Sequence, residues 1–225
     1  LITGSWATTM HRLSRGRFTL GIGRGIGAIY NSFGIPAVTT AQMEDFAQVM
    51  RRLWRGELIF NHDGPLGKYP ILFLDPDFRE DIRLAIVAFG PQTLALGGRE
   101  FDDVILHTYF TPETLQRAVK TVKDAAEQAG RDPASVKVWS CFATVGDHLP
   151  EELRLKKTVA RLATYLQGYG DLLVNTNNWD PAVLQRFRDD PVVQSVPGGI
   201  DHKASAEQIA HIATLIPDEW LEPSA

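Results

Sequence analysis

The sequence predicts an α/β fold with a parallel sheet. Short apolar runs alternate with amphipathic helical patterns along the chain, which is typical of strands that are covered by helices on both faces. Four such strands can be identified, whereas a (β/α)8 barrel has eight strands in about 250 residues. The chain also begins with a helical pattern. We therefore predict a (β/α)8 TIM barrel that lacks its N-terminal strands in this chain, in preference to a small open sheet.

The first quarter of the chain carries a helix, a strand and a second helix. Apolar residues recur every three or four positions over 1–13, which predicts a helix. The apolar run Phe18–Gly23 is bounded by basic residues and glycines, as expected of a buried strand. Thr39–Gln42 has the spacing of a capping box, and Gly56 is suited to end the helix that follows it.

Residues at about 57–75 interrupt the alternation of strands and helices. Two apolar runs, at 58–60 and 71–74, flank the turn residues His62-Asp-Gly-Pro. This pattern predicts a β-hairpin or a long loop inserted between two units of the sheet. We therefore expect one barrel domain over 1–225 that carries this insertion.

The rest of the chain continues the alternation. A buried strand that begins at Leu84 runs into Gly90 and Pro91, and proline suits the first turn of a helix because its missing N–H has no partner there. We expect that helix to be short and to end near Gly97 and Gly98. The remaining predicted elements are strands at 103–107 and 136–145, and helices that begin at Thr111, Leu153, Asp180 and Ser205.

The composition narrows the classes of function. A formal net charge of −4 over 225 residues argues against a nucleic-acid partner, and no apolar run reaches the length that spans a bilayer. The single cysteine, Cys141, excludes an internal disulfide and fits the cytoplasm. Because it lies beside Trp139 and Phe142 in a predicted strand, we expect it in the core. The histidines lack metal-ligand spacing, so we predict no metal site.

The glycine-rich segment Gly21–Gly27 follows the first strand, where glycines allow a ligand to approach the backbone closely. One hypothesis is a dinucleotide-binding loop of the form G-x-G-x-x-G. Counted from Gly21, this pattern would need glycine at Ile26. Counted from Gly23 it ends at Ala28, which the looser form of the pattern allows.

Two further features argue against a dinucleotide-binding Rossmann fold. A helix should follow the glycines at once, whereas residues 29–36 are predicted to be a loop. The acidic residue about 20 positions further on would be Glu44 or Asp45, inside a predicted helix instead of at the end of a second strand. A turn that is merely rich in glycine is the other alternative.

Four segments resemble the luciferase-like oxidoreductases, a family of flavin- and deazaflavin-dependent barrel enzymes. Arg17–Gly25, preceded by a helix that ends in L-S-R-G, is similar to the family's fourth-strand region. Asp81–Pro91 resembles the next strand, whose end supplies backbone amides to the cofactor. Leu94–Val104 and Ala126–Pro133 resemble the family's A-G-R-x-A-D-G-V and A-x-x-A-G-R-D-P stretches. Their order and spacing extend the resemblance through most of the chain and imply a barrel of the bacterial-luciferase type.

This resemblance implies an oxidoreductase that transfers a hydride between a cofactor and a small organic substrate at the C-terminal ends of the barrel strands. The cofactor it implies is coenzyme F420, as in the actinobacterial branch of the family, or alternatively FMN. An FMN-dependent monooxygenase, a non-catalytic flavin-binding protein and an NAD(P)-dependent enzyme are the other hypotheses. We also expect a cytoplasmic homodimer without nucleic-acid or membrane partners.

Gly23, Arg24 and Gly25 end the first strand, and the resemblance implies that they line the mouth where the cofactor ring lies. Arg24 departs from the small polar residue that is common in relatives at this position. Its guanidinium could pair with the carbonyls or phosphates of the cofactor, or it could form a salt bridge within the protein.

Phe89, Gly90, Pro91, Gln92 and Thr93 join a strand end to a helix N-terminus. Free amides and the helix dipole attract anions at such a position, so we expect the cofactor's phosphate to bind there. The alternative is an ordinary turn between a strand and a helix.

His107 ends the predicted strand at 103–107, where the chemistry of a barrel takes place. Its imidazole could donate or accept a proton, or it could be an inert side chain at the rim. Asp102 and Asp103 precede the same strand and are expected to be structural. Trp179 and the segment 165–170 could cover the barrel mouth or form a subunit contact.

Overall fold

The structure, a computed structural model, describes residues 1–25 and 27–221, without the side chains of residues 27–29. The described residues fall into two compact units. The first comprises Leu1–Leu106 and Ala118–Trp139, and the second comprises His107–Arg117 and Ser140–Ala225. The single barrel domain over 1–225 stays a prediction.

The described residues form six strands and eleven α-helices. The strands are β1 (Thr19–Ile22), β2 (Ile59–Gly64), β3 (Gly67–Leu72), β4 (Arg83–Ala88), β5 (Asp103–Leu106) and β6 (Lys137–Trp139). The helices that begin in the first unit are α1 (Ile2–Leu13), α2 (Gly27–Ser32), α3 (Thr40–Trp54) and α4 (Pro91–Glu100). The helices that begin in the second unit are α5 (Pro112–Gln128), α6 (Glu151–Lys157), α7 (Val159–Asn177), α8 (Pro181–Asp189), α9 (Pro191–Ser195), α10 (Ile200–Lys203) and α11 (Ala206–Ala213).

A parallel sheet with the strand order β1-β4-β5-β6 forms the centre of the first unit. Its register places Ile22 beside Ile86 and Ala88 beside Leu106. The strands are short apolar runs because helices cover them, and Ile86 and Leu106 are almost fully buried. This arrangement confirms the predicted α/β fold with a parallel sheet.

The helix signals read from the sequence are also confirmed in the first unit. Thr39 and Gln42 form a reciprocal capping box at the start of α3. Gly56 adopts a φ of +79° just after the end of that helix, a conformation that glycine reaches without strain. Pro91 occupies the first turn of α4. These signals depend on residues close together in the chain, so tertiary packing does not override them.

β2 and β3 form a regular antiparallel hairpin within the range at about 57–75 where the sequence predicts a hairpin or loop. Its register runs from Ile59 beside Leu72 to Gly64 beside Gly67. Asp45 of α3 holds the tip, because its carboxylate pairs with Nε2 of His62 at 3.0 Å and accepts a hydrogen bond from the Leu66 N–H at 2.9 Å. Asp45, which the sequence offered as a candidate for the acidic residue of a dinucleotide site, therefore anchors the hairpin.

Asp102 and Asp103 tie the strands together at the amino end of β5. Asp102 accepts hydrogen bonds from the Leu84 N–H at 2.8 Å and from the guanidinium of Arg51 at 3.1 Å. Asp103 is buried and accepts hydrogen bonds from Nε1 of Trp139 and from Arg83, both at 2.8 Å. Both aspartates are therefore structural, as expected, and lie at the end of the strand opposite His107.

The regular elements among the described residues of the second unit are all helices, and α7 is its central element. Helices α6, α8, α10 and α11 all pack against α7. Its inward side chains Leu162, Leu166 and Leu173 are fully buried. A Cβ atom on Gly170 would lie only 2.7 Å from Cδ1 of Leu184, so glycine is what allows α8 to approach α7 closely at this point.

Several predicted boundaries are wrong. Residues 27–32 form the short helix α2, although residues 29–36 were expected to be a loop. The strand predicted at 136–145 ends at Trp139, because β5 offers only four residues with which to pair. The helix predicted at 153–166 is two helices, α6 and α7, separated at Thr158, whose φ and ψ are −102° and −78°.

Burial also differs from prediction. Cys141 is exposed and lies outside any strand, because the sheet ends before it. In α1 the regularly spaced apolar residues Ile2, Trp6 and Leu13 are at least half exposed, and the buried face contains Gly4 and Ala7 instead. Small residues are required there because Leu74 and Trp54 approach the helix backbone at Gly4.

Helix α4 runs through Gly97 and Gly98 to Glu100 instead of ending at the two glycines. Both glycines are buried, and they serve close packing. A Cβ atom on Gly97 would lie 2.6 Å from Cγ2 of Val104, and one on Gly98 would collide with the carbonyl oxygen of Val122. Glycine at 98 thus lets α4 lie directly against α5.

We expect Gly98→Ala to lower the free energy of unfolding by about 2 kcal/mol, because the added methyl group meets the backbone of α5, which cannot move aside like a side chain. Urea denaturation measures the change. Gly21→Ala is the control, because no atom lies within 4 Å of its added Cβ. Equal stability of the two variants would contradict this account of α4.

Candidate cofactor and catalytic site

The carboxyl ends of β1 and β4 lie side by side at one edge of the sheet. Gly23 follows β1, and a Cβ atom built on it would lie 3.6 Å from Cβ of Val87 in β4. Because the two strands are parallel, the segments that leave them, 23–25 and 89–93, start from the same edge. The structure thus brings together two of the segments that the sequence singled out for cofactor binding.

The loop after β1 requires glycine at position 25. Gly25 has a φ of +69°, and a Cβ atom there would collide with the hydroxyl of Tyr30. The first helix after this loop is α2, although Ile26 itself lies outside the described residues. The chain then passes through α3 and the hairpin before it returns to the sheet at β4. This path differs from a dinucleotide fold, in which the second strand follows directly after the first helix.

Arg24 lies part-buried between β1 and α2, and its guanidinium donates a hydrogen bond to Oγ1 of Thr40 at the start of α3. Its Nε is buried and has no hydrogen-bond partner among the described residues. No acidic side chain in that part of the chain pairs with Arg24, so the salt bridge considered from the sequence is not found there. A buried N–H without an acceptor is costly, and a ligand oxygen would satisfy it.

The N-terminus of α4 offers a second set of hydrogen-bond donors. Gly90 is the N-cap, with φ −89° and ψ 166°, and it has no side chain to accept a bond from the first turn. Pro91 lacks an N–H, so the amides of Gln92 and Thr93 are the donors at the helix start. Such a terminus also carries the positive end of the helix dipole. The arrangement suits an anionic group, and phosphate binding here stays a prediction.

His107 directly follows β5, one residue beyond the strand in which the sequence placed it. Its Nδ1 lies 2.9 Å from the carbonyl oxygen of Thr108, a contact in which Nδ1 carries the hydrogen and donates it. Nε2 then carries the lone pair in the neutral ring. Burial lowers the pKa of His107 below its ordinary value, which keeps the imidazole neutral at neutral pH.

Three tyrosines gather around His107 within the second unit. The ring centroid of Tyr165 lies 5.1 Å from that of His107, and Tyr169 lies 5.9 Å from it, both edge-to-face. Tyr109 is buried, packs against Tyr165 at 5.5 Å and adopts a φ of +64°, which is unusual for a bulky residue. Burial raises the pKa of Tyr109 to about 12, so this hydroxyl stays protonated.

The sequence singled out the segment 165–170 but did not pair it with His107. The two glycines beside Tyr169 are a local signal of a helix interruption. Contacts between residues 58 or more positions apart leave no pattern in the sequence. Trp179, the other residue left open, stacks on Trp220 with ring centroids 4.4 Å apart. It also lines a separate cavity of about 470 Å³ with Thr111 and Arg117.

Two kinds of feature are absent from the part of the chain that the structure describes. No three His, Cys, Asp or Glu side chains within it come together in a way that could hold a metal ion. Among its helices, none combines the length and the apolar character needed to cross a membrane.

Solved structures with a similar fold include two enzymes that use coenzyme F420. The coenzyme F420-dependent tetrahydromethanopterin reductase of Methanopyrus kandleri superposes with a TM-score of 0.75 at 19% identity, over 100% of this chain and 65% of that one. An F420-dependent secondary alcohol dehydrogenase, solved with an F420–acetone adduct, superposes with a TM-score of 0.61 at 17% identity, over 99% and 60%. These matches show the predicted luciferase-like TIM-barrel fold.

At the level of sequence, the chain is 34% identical over 139 residues to the phthiodiolone/phenolphthiodiolone dimycocerosates ketoreductase of Mycobacterium tuberculosis. The alignment covers 60% of this chain and 36% of that relative, so the chain matches little more than a third of the relative's length. The pattern of the family described as luciferase-like monooxygenase matches residues 2–222, nearly the whole chain. The chain therefore belongs to the luciferase-like monooxygenase family.

Proposed function

We propose that this protein is an oxidoreductase that transfers a hydride between coenzyme F420 and a small organic substrate. The observation that carries the proposal is the pair of donor groups at the carboxyl edge of the sheet. Nε of Arg24 is buried without a partner, and the first turn of α4 is uncapped by any side chain. The buried Nε requires an oxygen acceptor, and the exposed first turn of α4 can donate to one. A phosphate-bearing cofactor with ring carbonyls supplies acceptors of both kinds.

The residues present fit such a cofactor. Gly23 adds no side chain beside β4, where a planar ring needs close approach, and Gly25 allows the turn with its positive φ. Arg24 would donate to a ring carbonyl. Gly90, Gln92 and Thr93 would hold a phosphate through the helix start, beside Phe89 and Pro91. Coenzyme F420, when bound, supplies the ring that accepts or gives up the hydride.

His107 would serve as the proton acceptor or donor. When a hydride leaves the carbon of an alcohol, the hydroxyl proton must also leave, and Nε2 of a neutral imidazole can accept it. In the reverse direction the protonated ring returns that proton to the oxygen of the carbonyl. The lowered pKa of His107 favours the neutral, accepting form at neutral pH.

The substrate class that we propose is a ketone or the corresponding secondary alcohol. This proposal is supported by the names of two similar proteins, a ketoreductase at 34% identity and a secondary alcohol dehydrogenase of the same fold. We further propose that the protein is a cytoplasmic homodimer of actinobacterial type. FMN is the alternative cofactor, because a riboflavin lyase solved with a modified FMN shares the fold at a TM-score of 0.58.

The first test is a titration of the protein with coenzyme F420, FMN and NADP, followed by absorbance. We expect F420 to bind and NADP not to bind, because the acidic residues at the distance expected for a dinucleotide's ribose, Glu44 and Asp45, lie inside α3 and pair with Arg99 and His62. Tight FMN binding without F420 binding would favour the flavin alternative. Binding of NADP alone would refute the proposal.

We expect Gln92→Glu to weaken the binding of F420 about tenfold, since a carboxylate in the first turn of α4 repels a phosphate. High salt should reduce this loss. Gln92→Asn is the neutral control and should bind like the unmodified protein. A glutamate in the first turn favours the helix itself, so reduced binding cannot be attributed to unfolding. Equal affinities of the two variants would place the phosphate elsewhere.

We expect His107→Gln to lower kcat by about 10²- to 10⁴-fold, the usual contribution of a general acid or base, with the affinity for F420 unchanged. His148→Gln is the control, because His148 is exposed on the segment after β6. Steady-state kinetics with a secondary alcohol measure the difference. A His107→Gln variant that keeps full activity would show that His107 is not the base.

A further inference from the structure

Helix α7 is interrupted in the middle by a kink at Tyr169, whose φ and ψ of −134° and 17° are not helical. Glycines at positions 168 and 170 flank it, and pairs of small residues are a common cause of kinks. Across the kink, the ring of Tyr169 lies 6.1 Å from that of Tyr165, with 29° between their planes. The rings of Tyr165 and Tyr169 therefore stack on each other across the kink.

Both rings are directed at the same neighbour, His107. The plane of Tyr165 is at 87° to the imidazole and that of Tyr169 at 66°, so each pair is edge-to-face. Edge-to-face contacts have a preferred geometry because the ring edge is positive and the ring face negative. They therefore restrict the rotation of the imidazole about its side-chain bonds, while the Thr108 carbonyl fixes its tautomer.

Tyr165 is itself held from its other side by an ion pair between the exposed Arg161 and the buried Asp201. Arg161 lies over the Tyr165 ring at 5.0 Å and reaches its hydroxyl at 3.3 Å. The guanidinium is fixed by the buried Asp201 at 2.7 Å. Asp201 in turn accepts a hydrogen bond from Oγ1 of Thr164 at 2.8 Å. A surface tyrosine would be free to rotate, but these contacts hold Tyr165 in one orientation.

We propose that Tyr165 and Tyr169 are positioning residues, which hold the His107 imidazole in one orientation and exclude water from it. The consequence for catalysis rests on the proposed function, since it requires His107 to be the base. The orientation itself does not, because it can be measured on the histidine. In this arrangement the ion pair of Arg161 and Asp201 acts on His107 through Tyr165.

The groups that face His107 allow the direction of the effect to be worked out. Tyr165 and Tyr169 present aromatic rings to the imidazole, and the charges of Arg161 and Asp201 largely cancel as a pair. The cause of the lowered pKa is therefore loss of water around the imidazole. Removing a ring readmits water, which stabilises the protonated form and raises the pKa towards its ordinary value of 6.5.

The experiment is an NMR titration of the histidine ring signals in Tyr165→Leu and Tyr165→Phe. We expect Tyr165→Leu to raise the pKa of His107, and Tyr165→Phe, which keeps the ring, to leave it nearly unchanged. Tyr69→Leu is a matched control, because Tyr69 stacks on His62 in the hairpin at 6.1 Å. It should alter only the His62 signal. An unchanged His107 pKa in Tyr165→Leu would overturn the proposal.

Two further measurements keep the proposal testable. If Tyr165→Leu does not fold, a nuclear Overhauser effect between the His107 and Tyr165 rings in the unmodified protein is the substitute, and its absence would overturn the proposal. In the active enzyme, Tyr165→Leu should move the acidic limb of the kcat–pH profile to higher pH, in step with the NMR value. If His107→Gln keeps full activity, the proposed base is wrong, whereas the NMR result still decides the positioning role.

Discussion

The parallel pairing of β1 with β4 and of β4 with β5 is the constraint on which the rest of the structure depends. Parallel hydrogen bonding gives all these strands the same direction, so their carboxyl ends lie at one edge. Gly23 and Phe89 leave the sheet from that edge, and His107 directly follows β5. Gly23 and Phe89, which are far apart in the chain, thereby lie at one end of the strands in the first unit, while the aspartates at 102 and 103 join the opposite ends.

The donors at this edge have in common that the protein does not satisfy them. The Arg24 Nε is buried without an acceptor, and Gly90 cannot cap the amides of α4. A protein normally pairs a buried donor such as the Arg24 Nε, since leaving it unpaired costs about 1–3 kcal/mol. Its position at the same edge as the exposed first turn of α4 is the physical basis for the cofactor site that we propose, and the family to which the chain belongs is the basis for the kind of cofactor that we propose.

His107 shows a different principle, in which apolar surroundings set the chemistry of a titratable group. Its lowered pKa comes from burial, and the surroundings are aromatic rings from α7. Both rings contact the imidazole from the two sides of the bend in α7 at Tyr169. The ion pair of Arg161 and Asp201 is part of the same arrangement, because Arg161 lies over the Tyr165 ring.

Local signals made much of the fold predictable. The capping boxes at Thr39 and Ser205, the proline at 91 and the apolar run that forms β4 each depend on residues within a few positions. The strand predicted at 136–145 failed because its length depends on a partner, β5, that runs out after four residues. The two glycines Gly97 and Gly98 predict a helix end. In the structure they lie inside α4, because β5 and α5 pack too closely against it for a side chain.

The sequence by itself determined the α/β class, the succession of the strands along the chain, the family and the candidate segments at the strand ends. Periodicity, caps and short motifs involve residues within a few positions of one another, so the sequence is enough to identify them. Only the tertiary structure decided that the guanidinium of Arg24 meets Thr40 instead of a carboxylate, and that His107 lies against Tyr165 and Tyr169. Burial and hydrogen-bond partners depend on residues distant in the chain, and burial is what shifts the pKa of a histidine.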